Sequence, residues 1–166
     1  MNKALFLDRD GVININHGHV HTIEKFDFIN GIFDLCRFFQ NAGYLIFVIT
    51  NQAGIGKGFY TLQEFKKLNQ WMLDVFSNNG INIIKTYFCP HTPEDMCDCR
   101  KPNPGLILEA QKEYNIDLKK SVFIGDKESD MLAGKRANVG TLLHFKGNSH
   151  FDTLIKIKEL KSISIV

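Results

Sequence analysis

ALFLDRDG, residues 4–11, is a short apolar run that stops on two carboxylates two positions apart, with a glycine behind them. An extended segment alternates its side chains, so Asp8 and Asp10 leave such a run facing the same way. Three further runs, YLIFVI (44–49), IIKTYF (83–88) and SVFIG (121–125), share its β-branched and aromatic character, and TLLHF (141–145) is a weaker fifth. Their spacing is too wide for hairpins, and such runs read as buried parallel strands. Helical patterns lie between them. Ile32, Leu35, Cys36 and Phe39 share one face, and Phe65, Leu68, Met72, Val75 and Phe76 share another, behind a capping box at Thr61 and Glu64. Pro104 suits the first turn of a third helix, 127–138 reads as a fourth, and the tail from His150 as a last helix with a frayed end. Strands alternating with helices predict an open α/β sheet with right-handed crossovers, in which ligands bind beyond the carboxyl ends of the strands.

A chain of 166 residues with 44% hydrophobic composition has material for one core, so a single domain spanning 1–166 is expected. With 20 Lys and Arg against 18 Asp and Glu, the formal charge is +2 and no like-charge run stands out. That pattern points to neither nucleic acid nor an anionic membrane as partner. No apolar stretch approaches a membrane span, and MNKALFLDRD meets charge before a signal-peptide core forms, so a cytoplasmic protein is expected. A monomer is expected as well.

The expected strand ends carry Asp8 and Asp10, Thr50 and Asn51, a cysteine-rich loop, and Asp126 with Asp130. Carboxylates gathered from separate strands repel one another unless a cation neutralises them, and hard oxygen ligands suit Mg²⁺. The spacing of acidic residues excludes an EF-hand loop. In TNQAGIGKG (50–58) Lys57 precedes Gly58 rather than Ser or Thr, and the glycines are not spaced GxGxxG, so neither nucleotide motif applies. The stretch reads as a turn able to point backbone N–H groups at an anion. Mg²⁺-binding carboxylates beside a hydroxyl and a lysine suit phosphoryl transfer.

CPHTPEDMCDCRKP (89–102) holds three of the four cysteines. Thiols stay reduced in the cytosol, so Cys89, His91, Cys97 and Cys99 read as a closed tetrahedral zinc set of structural type, while Cys36 belongs to an apolar helical face. Two prolines and few apolar residues leave that loop without a core of its own, and Arg100 and Lys101 follow its last ligand directly. Zinc would therefore aim both cations at the strand ends. His17, His19 and His21 alternate, but with no thiol or carboxylate partner evident nearby they are read as loop residues rather than as a metal site.

Asp8-x-Asp10-Gly11, Thr50, Lys101 and Gly125-Asp126-x3-Asp130 resemble, in order, the four motifs of the haloacid dehalogenase superfamily of aspartate-nucleophile phosphatases. The resemblance implies a three-layer Rossmann-like sheet of strand order 3-2-1-4-5 without a large cap domain. It implies Asp8 as nucleophile and Asp10 as general acid and base. Mg²⁺ would sit on Asp8, the Asp10 carbonyl and Asp126. Thr50, the Asn51 N–H and Lys101 would hold the phosphoryl group, and Asp130 would support Lys127 or a metal-bound water. FLDRDGVIN, HGHVH, TNQAGIG, CPH…CDCRKP and FIGDKESDM are most similar to the branch of heptose 1,7-bisphosphate 7-phosphatases and histidinol phosphatases, and within it to the heptose enzymes. That implies hydrolysis of a sugar 7-phosphate in the supply of ADP-heptose for lipopolysaccharide, with substrate contacts from Asn16, His17, Gly18, His19, Asn51, Gln52, Ala53, Arg100 and Lys127. Two features depart from the heptose pattern: the cysteine loop is of the shorter histidinol type, and Ala53 stands where serine is frequent. Histidinol phosphate is therefore the alternative substrate, and a phosphotransferase or a non-catalytic zinc-stabilised binding module are the alternatives to hydrolysis.

Overall fold

The computed structural model describes the backbone of residues 1–163 and the side chains of residues 1–158. In chain order the elements are β1 (Lys3–Leu7), α1 (Ile32–Asn41), β2 (Tyr44–Asn51), α2 (Ala53–Gly56), α3 (Leu62–Asn78), β3 (Ile83–Cys89), α4 (Gly105–Tyr114), β4 (Val122–Gly125), α5 (Glu128–Arg136), β5 (Thr141–His144) and α6 (Phe151–Ile163). The five strands form one parallel sheet in the order β3-β2-β1-β4-β5, the order the resemblance implies. The frayed end expected at the C-terminus falls outside the described residues. No helix among them is long and apolar enough to cross a membrane.

Alternation along each strand divides the core in two. Leu5, Leu7, Ile46, Val48 and Ile124 join α1, α3 and α6 on one face, while Ala4, Phe6, Phe47, Ile49 and Phe123 join α4 and α5 on the other. Phe6, on the central strand, stacks on Phe47 at 5.8 Å and meets Phe123 edge-on at 6.4 Å. Each fully buried aromatic or aliphatic side chain of this kind stabilises the fold by roughly 1.5–3 kcal/mol. The buried face of α1 is the set read from its periodicity. In α3, Phe65, Leu68, Met72 and Phe76 are buried but Val75 is only half-buried, at the margin of the apolar stripe. The capping box is present: the Glu64 N–H donates to Thr61 Oγ1 at 3.1 Å and the Thr61 N–H to Glu64 Oε2 at 2.7 Å.

Two boundaries matter for function. β2 runs two residues beyond the expected 44–49, because Thr50 and Asn51 pair with Phe88 and Cys89 of β3. The glycine-rich stretch behind it, expected as an open turn, contains the single helical turn α2. The N–H groups of Gln52 and Gly56 are taken by the carbonyls of Cys89 and Pro90, which anchors this segment to the cysteine loop.

Candidate active site

Asp8 remains in register with the sheet, its N–H donating to the Ile124 carbonyl at 3.1 Å, and is 5% exposed. Beyond it the chain turns on Gly11, at φ +94°, where a Cβ would stand 2.0 Å from Asp126 Oδ2. Only glycine accommodates both the left-handed backbone and that approach. The carboxylates of Asp8, Asp126 and Asp130 converge within 4.8 Å. Lys101, 4% exposed, donates to Asp8 Oδ1 at 2.8 Å, to the Ile49 carbonyl at 2.7 Å and lies 2.7 Å from Asp130 Oδ1, so three acceptors meet its three protons.

Burial pushes the Asp8 carboxyl well above its usual range, and Asp130 and Asp126 add to this against the pull of Lys101. Burial alone would lower Lys101, but Asp8 and Asp130 outweigh it and hold the ammonium above its ordinary value. Three carboxylates against one ammonium leave two negative charges, which one divalent cation neutralises. Asp126 Oδ1 is buried without a hydrogen-bond partner, a vacant hard-oxygen donor in the same place. The residues present fit Mg²⁺.

The Asp130 carboxylate pairs with Lys101 and accepts the N–H groups of Asp126 and Lys127 at 3.1 Å, so it supports Lys101 and, through the Lys127 backbone, the β4–α5 turn. Asp10 is held by four donors, Arg9 Nε at 3.2 Å, Arg9 Nη2 at 2.9 Å, Asn14 Nδ2 at 3.0 Å and Gln52 Nε2 at 3.1 Å. Arg9, 1% exposed, also donates to the Val20 carbonyl and so ties Asp10 to the loop at 16–20.

A cavity of about 500 Å³ opens over this floor, lined by Asp8, Asp10, Asn16, Gly18, His19, Asn51, Gln52, Ala53, Arg100, Lys101 and Lys127 among the residues expected at the site, and also by Lys57 and Tyr60. Thr50 lies buried beneath it, accepting from Gln52 Nε2 at 2.8 Å. His17 is not among the lining residues. Its Nε2 pairs with Asp27 Oδ2 at 2.7 Å on the outer surface, a carboxylate partner that the sequence spacing did not disclose. Nor do the three histidines share a face, because His19 adopts φ +46° and breaks the extended run. His19 instead packs edge-on against Phe59, and His21 stacks on Tyr60.

Beside the cavity, Cys89, His91, Cys97 and Cys99 converge, with sulfur–sulfur separations of 2.9–3.5 Å and His91 Nδ1 3.3–3.4 Å from Cys99 and Cys89. Despite opposing partial burial, the Arg100 N–H and the neighbouring cluster groups bring Cys97 down to about 7, which favours a thiolate. The donor set fits a tetrahedral soft metal, and zinc is compatible with it. Asn51 brackets Lys101, two positions beyond the last cysteine: Nδ2 donates to the Lys101 carbonyl at 3.1 Å, and Oδ1 accepts the Lys101 N–H at 3.0 Å. Arg136, from α5, donates to the Pro102 carbonyl at 3.0 Å and holds the far side of the loop.

A family model described as HAD-hydrolase-like matches residues 98–162. The D-glycero-alpha-D-manno-heptose-1,7-bisphosphate 7-phosphatase of Campylobacter jejuni is 52% identical over 141 residues, covering 85% of this chain and 81% of the relative. The D-glycero-beta-D-manno-heptose-1,7-bisphosphate 7-phosphatase of Helicobacter pylori is 53% identical over 139 residues, covering 83% and 80%. Among solved structures, the D,D-heptose 1,7-bisphosphate phosphatase from B. bronchiseptica, complexed with magnesium and phosphate, superposes with a TM-score of 0.81 at 27% identity, over 93% of this chain and 86% of that one. Identity at this level, sustained over four-fifths of both partners, means that the chain belongs to the heptose-1,7-bisphosphate 7-phosphatase family of haloacid dehalogenase-like hydrolases.

Proposed function

We propose that this chain is a Mg²⁺-dependent phosphatase that removes the 7-phosphate of D-glycero-D-manno-heptose 1,7-bisphosphate, acting as a cytoplasmic monomer of one domain, 1–166, in the supply of ADP-heptose. The observation that carries the substrate reading is the separation of charge in the cavity. Lys101 is engaged with the buried carboxylates, while Arg100, Lys57 and Lys127 line the same cavity as additional cations. One phosphate on the floor and a second among those cations account for both groups.

In the reaction, an Asp8 oxygen attacks phosphorus as the bond to the sugar oxygen breaks, and Asp10 gives that oxygen its proton. Asp10 then takes a proton from the water that attacks the aspartyl-phosphate, which frees phosphate and restores Asp8. Thr50, the Asn51 N–H and Lys101 hold the transferring group. Asp8, the Asp10 carbonyl and Asp126 would hold Mg²⁺, which when bound supplies neutralisation of the developing phosphoryl charge.

Arg100→Ala tests the substrate. Losing a charged hydrogen bond to the second phosphate costs about 1.5–3 kcal/mol, or about 10- to 150-fold in kcat/KM. That loss is expected for heptose bisphosphate and not for heptose monophosphate. Histidinol phosphate, with its cationic amine, is expected to be a poor substrate throughout. A wild type that prefers histidinol phosphate, or a variant that loses equally on every substrate, would make the assignment wrong.

We further propose that Cys89, His91, Cys97 and Cys99 hold structural zinc. Stripping the metal with a strong chelator should lower Tm, because the binding free energy of a structural zinc is folding free energy. Activity should fall with it, and excess Mg²⁺ should not restore it, because Arg100 and Lys101 lose their mounting. Full activity and unchanged melting in metal-free protein would contradict a structural zinc.

A further inference from the structure

One wall of the cavity carries a buried polar pair whose role goes beyond substrate contact. Tyr60 and Gln52 are 4% and 2% exposed, and the Tyr60 hydroxyl donates to Gln52 Oε1. The amide orientation follows from chemistry. Arg9 and Asn14 donate to both Asp10 oxygens, as to an ionised carboxylate, and in that state Asp10 only accepts, so the Gln52 edge facing it is its NH₂ group and Oε1 is left for a donor. Tyr60 is that donor, and burial pushes its phenol up to about 12, so the proton stays in place.

The two Gln52 N–H bonds serve different groups. One reaches Asp10 Oδ2 at 3.1 Å and the other Thr50 Oγ1 at 2.8 Å. Because Thr50 accepts there, its own proton must point elsewhere, and the Asn51 carbonyl at 3.5 Å is a poor acceptor for it. The proton is thus available to a phosphoryl oxygen. We propose that Tyr60 is a positioning residue: by locking the Gln52 amide it holds the Asp10 carboxylate in place and turns the Thr50 hydroxyl toward the transferring group.

The Tyr60 ring is placed by packing, not by its hydroxyl. It stacks on His21 at 4.9 Å, and it lies so close to Gly54 that a Cβ there would stand 2.1 Å from Tyr60 Cε1. Tyr60→Phe therefore deletes the donor and keeps the contacts.

This inference rests on the phosphatase reading, and the experiment separates the two. Wild type, Tyr60→Phe, Gln52→Leu and the double variant are assayed on heptose 1,7-bisphosphate and on p-nitrophenyl phosphate, whose leaving group needs no proton. Tyr60→Phe should lower kcat on the sugar by about 10- to 100-fold with KM held within about twofold, while Tm falls by only a few degrees as Gln52 Oε1 loses its donor. The loss on the aryl phosphate should be smaller, since its leaving group needs no proton and Asp10 then matters only as the base for the second step. In the Gln52→Leu background Tyr60→Phe should cost nothing more, because it acts through Gln52. An unchanged kcat, a rise in KM alone, or a fully additive double variant overturns the relay, and the Tyr60→Phe kinetics decide by themselves if Gln52→Leu does not fold. A wild type that releases no phosphate from either substrate overturns the phosphatase reading instead.

Discussion

Asp8→Asn should lower phosphate release by roughly 10⁴-fold or more while the chain stays folded. The carboxamide keeps the shape of the side chain and loses the anionic oxygen that attacks phosphorus. Stability should not suffer. Asp8 is one of three carboxylates crowded around one ammonium, and burial together with its two acidic neighbours already disfavours its charge. Neutralising it leaves Lys101 paired with Asp130 at 2.7 Å and bonded to the Ile49 carbonyl at 2.7 Å. A melting temperature equal to or above that of wild type is therefore expected alongside the collapse in turnover. A folded Asp8→Asn protein turning over within tenfold of wild type would rule out the covalent route, and one that unfolds would show that the carboxylate crowding was misjudged.

Lys101→Ala should damage both stability and activity. Its ammonium is the buried cation that Asp8 and Asp130 share, and removing one partner of such a group costs about 3–5 kcal/mol because the remaining charges stay buried and unpaired. Urea unfolding should report that loss in Mg²⁺-free buffer and a partial recovery when Mg²⁺ is added, since a divalent cation relieves the same repulsion. Turnover should not recover with it. Lys101→Arg should fail as well, because Nζ sits among three oxygens at 2.7–2.8 Å, a pocket for a compact ammonium rather than a planar fork. Unchanged urea midpoints in Lys101→Ala would mean that the cluster is neutralised by protonation instead.

What could be read without coordinates was whatever a short window of sequence specifies. The strands were legible because parallel strands buried on both faces must be continuously apolar, as 44–49 and 122–125 are. The cysteine cluster was legible because its four donors lie within eleven residues. Pairings across the fold were not. Asp27 reaches His17 and Asp130 reaches Lys101 through turns whose geometry no local spacing encodes. Tyr60, just before the helix cap at Thr61, occupies a position where an apolar side chain commonly packs as a staple, so its hydroxyl carried no signal. The turn α2 was missed because AGIG has the composition of a loop, and its helical turn depends on bonds to Cys89 and Pro90 in a distant segment.

The central place of β1 also governs how the molecule is made. Its edges pair with β2 on one side and with β4 on the other, so during translation the β1–β2–β3 half is complete long before residues 122–125 leave the ribosome. Until then one edge of β1 is bare, an open template for pairing with another nascent chain. The carboxylates meet only when that edge closes, because Asp126 follows β4 directly and Asp130 lies in α5 behind it. The charge repulsion of the site is therefore absent from the β1–β2–β3 half and arises only when β4 docks on β1.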